Sequence, residues 1–356
     1  MRESIVVALS GGVDSSVAAA LLVEQGFEVI GLTLRLVTGA SRCCSLEDAE
    51  DARRVAETLG IRFYVADYAD EFRREVIEPF ADAYLAGRTP IPCVTCNQRF
   101  KFGRLLERAR ALGAEAVATG HYARIALDPR TGRPTLRRAA DASKDQSYFL
   151  FDLDVERLAR IRFPVGELRK SEVRALARSL GLATAEKPES QEICFVPDGD
   201  YAGAVERLRP DALPGPGDVV DESGRRVGRH PGVHRFTVGQ RRGLALAAGR
   251  RLYVQQIDAE RNQLRVAAAG ALGSWGATLT GVSWIAGAPP RGSQRADVRV
   301  RHHHAGAAAT IDPEGPGRAR VRFDAPVAAV TPGQAAVFYQ GEIVLGGGWI
   351  AQAIAA

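Results

Sequence analysis

One segment constrains this chain more than any other, the seven residues SGGVDSS at positions 10–16. An apolar run rich in valine and isoleucine precedes it at 4–9, and the apolar spacing of residues 13–25 is helical. Two glycines in a turn from strand to helix let the backbone approach a phosphate closely, and the free N–H groups of the helix attract its charge. The segment therefore predicts a phosphate-binding loop, although it lacks the GxxxxGK pattern of a Walker A loop.

Strand and helix signals alternate through the first half of the chain. Strand-like runs occupy residues 28–34, 62–66 and 115–119, and helix-like runs occupy residues 46–59, 100–112 and 170–180. Each of these helix-like runs is followed by a glycine, as helices commonly are. Such alternation predicts an α/β fold, with a doubly wound parallel sheet covered by helices on both faces.

The composition changes after about residue 210, where the breaker cluster PGPG stands at 214–217. Short strand-like runs follow at 296–301, 319–323 and 335–339, a pattern typical of a small β-barrel or sandwich, and residues 130–133 suggest a hairpin tip. With 356 residues, the chain is too long for one ordinary core. We predict a catalytic α/β domain at residues 1–207, a small connecting domain at 208–272 and a β-barrel at 273–356, with Trp275, Trp284 and Trp349 in its core.

The bulk properties narrow the choice of partners only slightly. The net charge of +5 is compatible with a nucleic-acid partner without indicating one. No apolar run approaches the ~20 residues that a membrane-spanning helix needs. The beginning of the chain resembles neither a signal peptide nor a transit peptide. We therefore expect a cytoplasmic protein with no membrane partner.

The cysteines number five, an odd count that leaves no complete pairing, and disulfides are rare in a reducing cytosol. Cys43 and Cys44 are interpreted as small buried hydrophobic residues. Cys93 and Cys96 form a Cys-x-x-Cys pair just before the predicted helix at 100–112, a place where a thiolate becomes more reactive. This spacing favours metal binding or thiol chemistry.

The loop at 10–16 resembles the SGGxDS pyrophosphate loop of the ATP pyrophosphatases, which cleave ATP to AMP and pyrophosphate. Enzymes with this loop adenylate a carbonyl oxygen and then displace AMP with a nucleophile. Asp14 supplies the carboxylate of the loop, so we expect it to hold Mg²⁺ against the pyrophosphate. The loop alone leaves the substrate open, because small-molecule synthetases and tRNA-modifying enzymes share it.

Two further segments select a branch of this superfamily. PCVTCN at 92–97 and ESQEICF at 189–195 resemble the cysteine motifs of the tRNA 2-thiouridylases. The likeness continues through TGHY at 119–122, KDQS at 144–147, TVGQR at 237–241 and LGGG at 345–348. It therefore spans almost the whole chain and implies an α/β domain like that of the adenine nucleotide alpha hydrolases.

The resemblance also implies a reaction. ATP activates the C2 oxygen of the wobble uridine (U34) in certain tRNAs, expected to be those for Lys, Glu and Gln, and AMP and pyrophosphate are released. A persulfide sulfur on Cys194 attacks C2, and Cys96 frees that sulfur to leave a Cys96–Cys194 disulfide. An upstream persulfide donor, such as a cysteine desulfurase or a sulfur-relay protein, would load Cys194. The implied cofactors are ATP and Mg²⁺.

Carrying the family's motifs over residue by residue gives the expected site. The ATP pocket would be lined by Ala8, Leu9, Ser10, Gly11, Gly12, Val13, Asp14, Ser15, Leu34 and Gly120. The target base would meet Ile91, Pro92 and Cys93. The tRNA would contact His121, Lys144, Asp145, Gln146, Arg301, His302 and Gln334. Ile91 departs from the family, since many members have Asn there, and some members have Asp in place of Cys93.

Several alternatives stay open at this point. Cys93, Cys96 and Cys194 are expected to converge, and three thiolates could instead hold a 4Fe–4S cluster with one open iron. His121 could be a half-buried residue satisfied by the backbone. The whole chain could be a synthetase that acts on a small molecule, and such an enzyme would need neither Cys96 nor Cys194. It could also be a tRNA-binding or sulfur-carrier protein, which would produce no AMP.

Overall fold

A computed structural model describes residues 2–37, 46–189, 193–244, 246 and 251–355. Cys43 and Cys44, interpreted above as buried, lie outside the described residues, as do residues 190–192 of the second cysteine segment.

The first half of the chain builds the predicted parallel sheet. Its elements in chain order are β1 Ser4–Ala8, α1 Val13–Glu24, β2 Glu28–Arg35, α2 Leu46–Leu59, β3 Arg62–Asp67, α3 Ala69–Phe72, α4 Glu78–Leu85, α5 Pro92–Cys96, α6 Leu105–Ala111, β4 Ala116–Ala118, β5 Arg124–Leu127, β6 Pro134–Arg137, α7 Val155–Ala159, β7 Ile161–Arg162, α8 Lys170–Ser179 and α9 Tyr201–Leu208. The sheet has the order β3-β2-β1-β4-β7, and every pairing in it is parallel. The order of the strands reverses at β1, because β2 and β3 lie on one side of it and β4 and β7 on the other. Ligands of open α/β sheets bind in the crevice at such a switch point.

The helix that carries the Cys-x-x-Cys pair differs from its prediction. We predict a helix over 100–112 that begins after both cysteines. The structure instead has α5 begin at Pro92, continue as a π-helical stretch over Asn97–Arg104, and pass directly into α6. Proline suits the first helical turn because its missing N–H would have no partner there. The wider turn of a π-helix changes the apolar spacing, which hid this stretch from a search for a 3.6-residue period. Cys93 therefore lies in the first helical turn, and Cys96 does not.

The second half forms two antiparallel-rich sheets, which confirms the predicted β-rich architecture. The strands are β8 Gly217–Val220, β9 Arg226–His230, β10 Tyr253–Asp258, β11 Gln263–Ala267, β12 Gly273–Trp284, β13 Gln294–Arg299, β14 Ala307–Pro313, β15 Arg318–Ala328, β16 Ala335–Gln340 and β17 Ile343–Ala355. Strands β8 to β11 form one small sheet in the order β10-β11-β8-β9. Strands β12 to β17 close into a barrel, because β12 pairs with both β15 and β17.

A hairpin from the first half joins the barrel. Strands β5 and β6 pair antiparallel around the turn at 128–133, as predicted, and Ile343 of β17 pairs with Arg137 of β6. Side chains of the α/β part and of the barrel then share one buried cluster, which includes Phe151 and Val337. The barrel is therefore packed onto the α/β part through a common core.

The tryptophans were predicted to be barrel core, and for Trp275 that is wrong. Its side chain is 46% exposed, because it lies on the outward face of β12. Among the helices that the structure describes, none combines the length and the apolar character of a membrane span.

Candidate active site

The loop after β1 is folded by its own serine hydroxyls. The Ser15 hydroxyl accepts a hydrogen bond from the Ser10 N–H at 3.2 Å and donates one to the Gly12 carbonyl at 3.0 Å. Ser16 also donates to the Gly12 carbonyl, at 2.9 Å, and accepts from Thr184. No side chain caps the start of α1, where Gly12 is the N-cap. The first N–H groups of the helix are consequently available to an anion.

Two glycines allow the loop to pack where any side chain would clash. Gly11 has φ +69°, and a Cβ there would overlap the carbonyl of Asp48. A Cβ on Gly120, just after β4, would lie 2.5 Å from the Ser15 nitrogen and 2.6 Å from the Asp14 carbonyl carbon. The loops that follow β1 and β4 therefore touch at the switch point of the sheet, as the predicted pairing of Gly120 with the ATP loop requires.

A cleft of about 220 Å³ opens beside this loop and is dense in charge. The Lys170 ammonium lies 2.7 and 2.8 Å from the two Asp14 carboxylate oxygens, and the Tyr122 hydroxyl donates to Asp14 at 2.7 Å. Burial, followed by the nearby Asp14 carboxylate, raises the pKa of Tyr122, so the phenol stays protonated and can serve as this donor.

Glu189 links two lysines across the same cleft. It accepts from Lys144 at 2.6 Å and lies 3.1 Å from Lys170. Burial alone would raise the pKa of Glu189, but the hydrogen bonds from Lys144 and Lys170 outweigh it and lower the pKa. Glu189 is therefore a carboxylate at neutral pH.

A third lysine, Lys187, borders the cleft with acidic partners of its own. It donates to Asp48 at 2.7 Å and to Asp51 at 2.6 Å. Burial would lower the pKa of Lys187, but the hydrogen bonds to the two aspartates raise it overall. The cleft is thus lined by three lysines, Lys144, Lys170 and Lys187.

Only part of this cleft was predictable from the sequence. Ser10, Gly12, Val13, Asp14, Lys144 and Gln146 were predicted, and they do line one cleft. Lys170, Lys187 and Glu189 were missed as site residues, because neither lysine falls in a motif and Glu189 was noted only as the start of one. The sequence carried one signal for the lysines, which are rare in this chain: four against 43 arginines.

The segment 144–147 connects the cleft to the barrel. Lys144 points to Glu189, and the Gln146 side-chain carbonyl accepts from the Tyr122 N–H at 2.9 Å. Asp145 is buried and lies 3.3 Å from Arg299 of β13, while Ser147 lies 3.3 Å from the Tyr339 hydroxyl. Asp145 therefore faces a barrel residue and is not exposed on the surface.

His121 is buried. Its ring lies between Phe102 and Phe163, with centroids 5.7 and 5.9 Å away, and its Nδ1 is 2.7 Å from the Thr119 hydroxyl. Burial, with a smaller effect of Lys101, holds the pKa of His121 well below 6.5. The imidazole is consequently neutral near pH 7.

The described cysteines differ in exposure. Cys93 is exposed, Cys96 is buried and Cys194 is intermediate. Cys96 belongs to the buried cluster shared with the barrel, and Cys194 packs against that same cluster. In the part of the chain that the structure describes, no three His, Cys, Asp or Glu side chains are grouped to hold a metal ion.

The segment predicted to meet the target base lies beside the barrel. Ile91 and Pro92 are buried and line a groove with Gly333, Thr280 and Trp349. The loop just before them is fixed to the barrel, because the Thr89 N–H donates to the Pro332 carbonyl and the Gln334 side chain donates to the Thr89 carbonyl, at 2.9 and 3.1 Å.

The remaining predicted residues are distributed around this centre. Ala8 ends β1, and Leu34 is buried near the end of β2. Arg301 is exposed and donates to the Ala328 carbonyl. His302 stacks on Phe149 at 4.5 Å, and its Nε2 lies 3.1 Å from the Asp145 carbonyl.

Three family models match consecutive parts of the chain. They are described as a tRNA methyl transferase HUP domain, which matches residues 3–198, a tRNA methyl transferase PRC-barrel domain, which matches 206–268, and an aminomethyltransferase beta-barrel domain, which matches 275–350. The first of these covers more than half of the chain.

Curated relatives match over nearly their full length. The tRNA-specific 2-thiouridylase MnmA of Solibacter usitatus is 51% identical, over 98% of this chain and 99% of the relative. The protein of the same name from Geotalea uraniireducens is 49% identical, over 99% and 96%. Among solved structures, the U34-tRNA thiolase NcsA from Methanococcus maripaludis, with its 4Fe-4S cluster, is 18% identical over 59% of this chain and 69% of that chain, with a TM-score of 0.36.

Proposed function

This chain belongs to the tRNA-specific 2-thiouridylase family, and from that premise we propose that it is a tRNA-uridine 2-sulfurtransferase that uses ATP to place sulfur at C2 of the wobble uridine. The observation that carries this proposal is the match at about half identity over almost the entire chain. The division into a catalytic domain at 1–207, a connecting domain at 208–272 and a barrel at 273–356 is part of the proposal.

The cleft beside β1 is the proposed ATP site. Gly11, Gly12 and the first turn of α1 would bind phosphate oxygens through backbone N–H groups, and the Ser10 hydroxyl would lie beside them. The rest of the proposed pocket comprises Ala8, Leu9, Val13, Asp14, Ser15, Leu34 and Gly120. Three observations support this assignment. The helix after the loop begins without a side-chain cap, Gly11 has a left-handed backbone conformation, and three lysines line the cleft.

The donors of this cleft also fit Mg²⁺ bound through phosphate. Mg²⁺ commonly takes one or two carboxylates together with phosphate oxygens and water, and Asp14 offers a carboxylate directly in the loop. When bound, the ion would neutralise charge on the phosphates. Asp14 already accepts from Lys170 and Tyr122, so these two residues would orient the carboxylate toward the phosphates.

Cys96 and Cys194 are the proposed sulfur-transfer pair. The outer sulfur of a persulfide on Cys194 attacks the activated C2 carbon, and the bond from C2 to the adenylated oxygen breaks as AMP leaves. The Cys96 thiolate then attacks the inner sulfur, the sulfur–sulfur bond breaks, and a Cys96–Cys194 disulfide remains to be reduced. The packing of both residues at the same buried cluster supports this pairing. This route uses two thiols and needs no iron–sulfur cluster.

The substrate would approach over the barrel side. Ile91, Pro92 and Cys93 would flank the flipped-out base, and Lys144, Gln146, Arg301, His302 and Gln334 would contact the tRNA. His121 and Asp145 are retained as proposed tRNA-site residues, although both side chains are buried here and would act by shaping the surface. The tRNAs for Lys, Glu and Gln, and an upstream persulfide donor, are the proposed partners.

A nucleoside analysis tests the proposed function. The full chain is incubated with unmodified tRNA and ATP, either with a persulfide donor or with a methyl donor, since two matching family models carry the name of a methyl transferase. We expect 2-thiouridine and AMP in the first reaction and no methylated nucleoside in the second. A methylated nucleoside formed without AMP would refute the proposal.

A further inference from the structure

Lysine is rare in this chain, and three of the four lysines lie together in the structure. The sequence has 43 arginines and four lysines, Lys101, Lys144, Lys170 and Lys187. Lys144, Lys170 and Lys187 line one cleft beside the loop at 10–16. The fourth, Lys101, lies in the π-helical stretch after Cys96 and is close enough to His121 to help lower its pKa.

Among the residues that the structure describes, ion pairs away from the cleft use arginine, apart from the one between His234 and Glu206. Arg53 with Glu50 and Arg295 with Asp324 are examples on exposed surfaces. A lysine ammonium is compact and can turn its three donors in different directions, whereas a guanidinium is a wide planar fork.

The surroundings of Lys170 show why a compact cation is needed. Its ammonium meets both Asp14 oxygens and one Glu189 oxygen within 3.1 Å, and its side chain is only 11% exposed. The Tyr122 ring lies 5.7 Å away and limits the space on a further side. The ammonium is therefore bounded on several sides, and the planar fork of a guanidinium has a different shape from the group that these neighbours surround.

We propose that Lys170 binds the polyphosphate of ATP and stabilises the pyrophosphate leaving group, with Lys144 and Lys187 sharing the charge. In the structure, Asp14 and Glu189 hold the Lys170 ammonium and Glu189 holds that of Lys144. Asp48 and Asp51 hold that of Lys187. The proposal rests on the proposed function for the identity of the reaction. It assigns Lys170 and Lys187, which lie outside every motif quoted above, and it gives Lys144 a role at the nucleotide in addition to its proposed tRNA contact.

The bond that breaks during adenylation of the uridine determines where a positive charge lowers the barrier. The uridine C2 oxygen bonds to the α-phosphorus, the N3 proton of the uridine is lost to water, and the bond from that phosphorus to the bridging oxygen of the β-phosphate breaks. The electron pair of the broken bond stays on pyrophosphate. An ammonium fixed beside that oxygen lowers the barrier, because charge increases there as the bond breaks.

Substitutions at Lys170 test this assignment in the full chain. Lys170→Ala should lower the rate of AMP formation with tRNA by about 10²- to 10³-fold, as loss of a comparable preorganised charge does. Lys170→Arg should remain at least about tenfold impaired, because the fork does not fit. Arg178→Ala is the matched control on the same helix, since Arg178 is exposed and pairs with Glu186 at the surface. It should behave as wild type.

Binding of inorganic pyrophosphate, measured by calorimetry without tRNA, separates this proposal from the proposed function. Lys170→Ala should weaken pyrophosphate binding. If wild-type protein binds pyrophosphate but never makes 2-thiouridine, the proposed function fails and the role of Lys170 stands. Wild-type AMP formation and pyrophosphate binding in Lys170→Arg would overturn the inference.

A variant that binds pyrophosphate more tightly than wild type is informative, because misfolding weakens binding and does not strengthen it. Glu189→Gln removes the negative charge that competes for Lys144 and Lys170 while it keeps the size of the side chain. Pyrophosphate should bind about fivefold more tightly, the scale of a partly exposed ion pair. Unchanged or weaker binding would mean that these lysines do not meet the polyphosphate.

Discussion

At the scale of single residues, the cleft is organised by Asp14. Its carboxylate accepts hydrogen bonds from Lys170 and Tyr122. In the sequence, Asp14 comes shortly after the two glycines of the loop. Sequence reasoning could find Asp14, because the loop motif is contiguous and sits between a strand and a helix. It could not find Lys170, which is 156 positions away and reaches the loop only because α8 packs on α1.

Asp14→Asn tests the carboxylate itself. The amide is nearly the same size but cannot attract Mg²⁺ or pair with Lys170, so AMP formation should fall by at least about 10²-fold. Binding of tRNA should change little, since the barrel is untouched. A gel-shift assay and an AMP assay on the same preparation check both statements, and wild-type turnover would remove Asp14 from the site.

Cys93→Asp distinguishes the two ways of holding sulfur. In the persulfide route, Cys93 only helps to form the site for the target base. The variant is prepared without oxygen and without metal. It should keep at least about a third of wild-type thiolation. Cys96→Ser and Cys194→Ser should both be inactive, because each thiol breaks or carries the sulfur–sulfur bond. Activity that follows iron content, with metal-free wild type inactive, would contradict the persulfide route.

At the scale of elements, the strands and the glycine-terminated helices were predictable, but the helix through Cys96 was not. The period-2 and period-3.6 patterns are local, and they located β2, β3, α2 and α8 closely. The π-helical stretch Asn97–Arg104 depends on packing instead. It buries Phe100 and Phe102, and Phe102 then lies against His121 on the neighbouring loop.

This packing makes a pH prediction for His121. The pKa of the buried imidazole is well below 6.5, so below about pH 6.5 the unfolded chain binds a proton that the folded protein does not. The free energy of unfolding should therefore fall as pH falls from 6.5, by up to about 1.4 kcal/mol per pH unit from this group. His121→Asn should show a shallower slope in urea denaturation between pH 7 and pH 5. Equal slopes would mean that His121 is protonated in the folded state.

At the scale of the whole molecule, the barrel and the α/β part form one packed unit. The β5–β6 hairpin extends the barrel sheet, and Tyr148 donates to the Ala335 carbonyl at 2.9 Å. The sequence indicated a barrel at the end of the chain, but it gave no sign that residues 124–137 would join it. Contacts between segments some 200 positions apart leave no local pattern.

Arg299→Ala tests this packing. Asp145 is buried, and its carboxylate would lose the Arg299 guanidinium at 3.3 Å. Removing one partner of a buried ion pair costs about 3–5 kcal/mol, so the variant should unfold at a markedly lower temperature. Arg295→Ala is the matched control, because Arg295 pairs with Asp324 at the exposed surface of the same strand. Equal melting temperatures of the two variants would contradict the shared core.

Transfer of labelled sulfur tests the central claim most directly. The protein is loaded with ³⁵S as a persulfide on Cys194, freed of excess donor, and mixed with ATP and unmodified tRNA for a single turnover. We expect one AMP and one pyrophosphate for each labelled 2-thiouridine, with a Cys96–Cys194 disulfide left in the protein. Labelled 2-thiouridine without AMP, or AMP without labelled tRNA, would contradict the account.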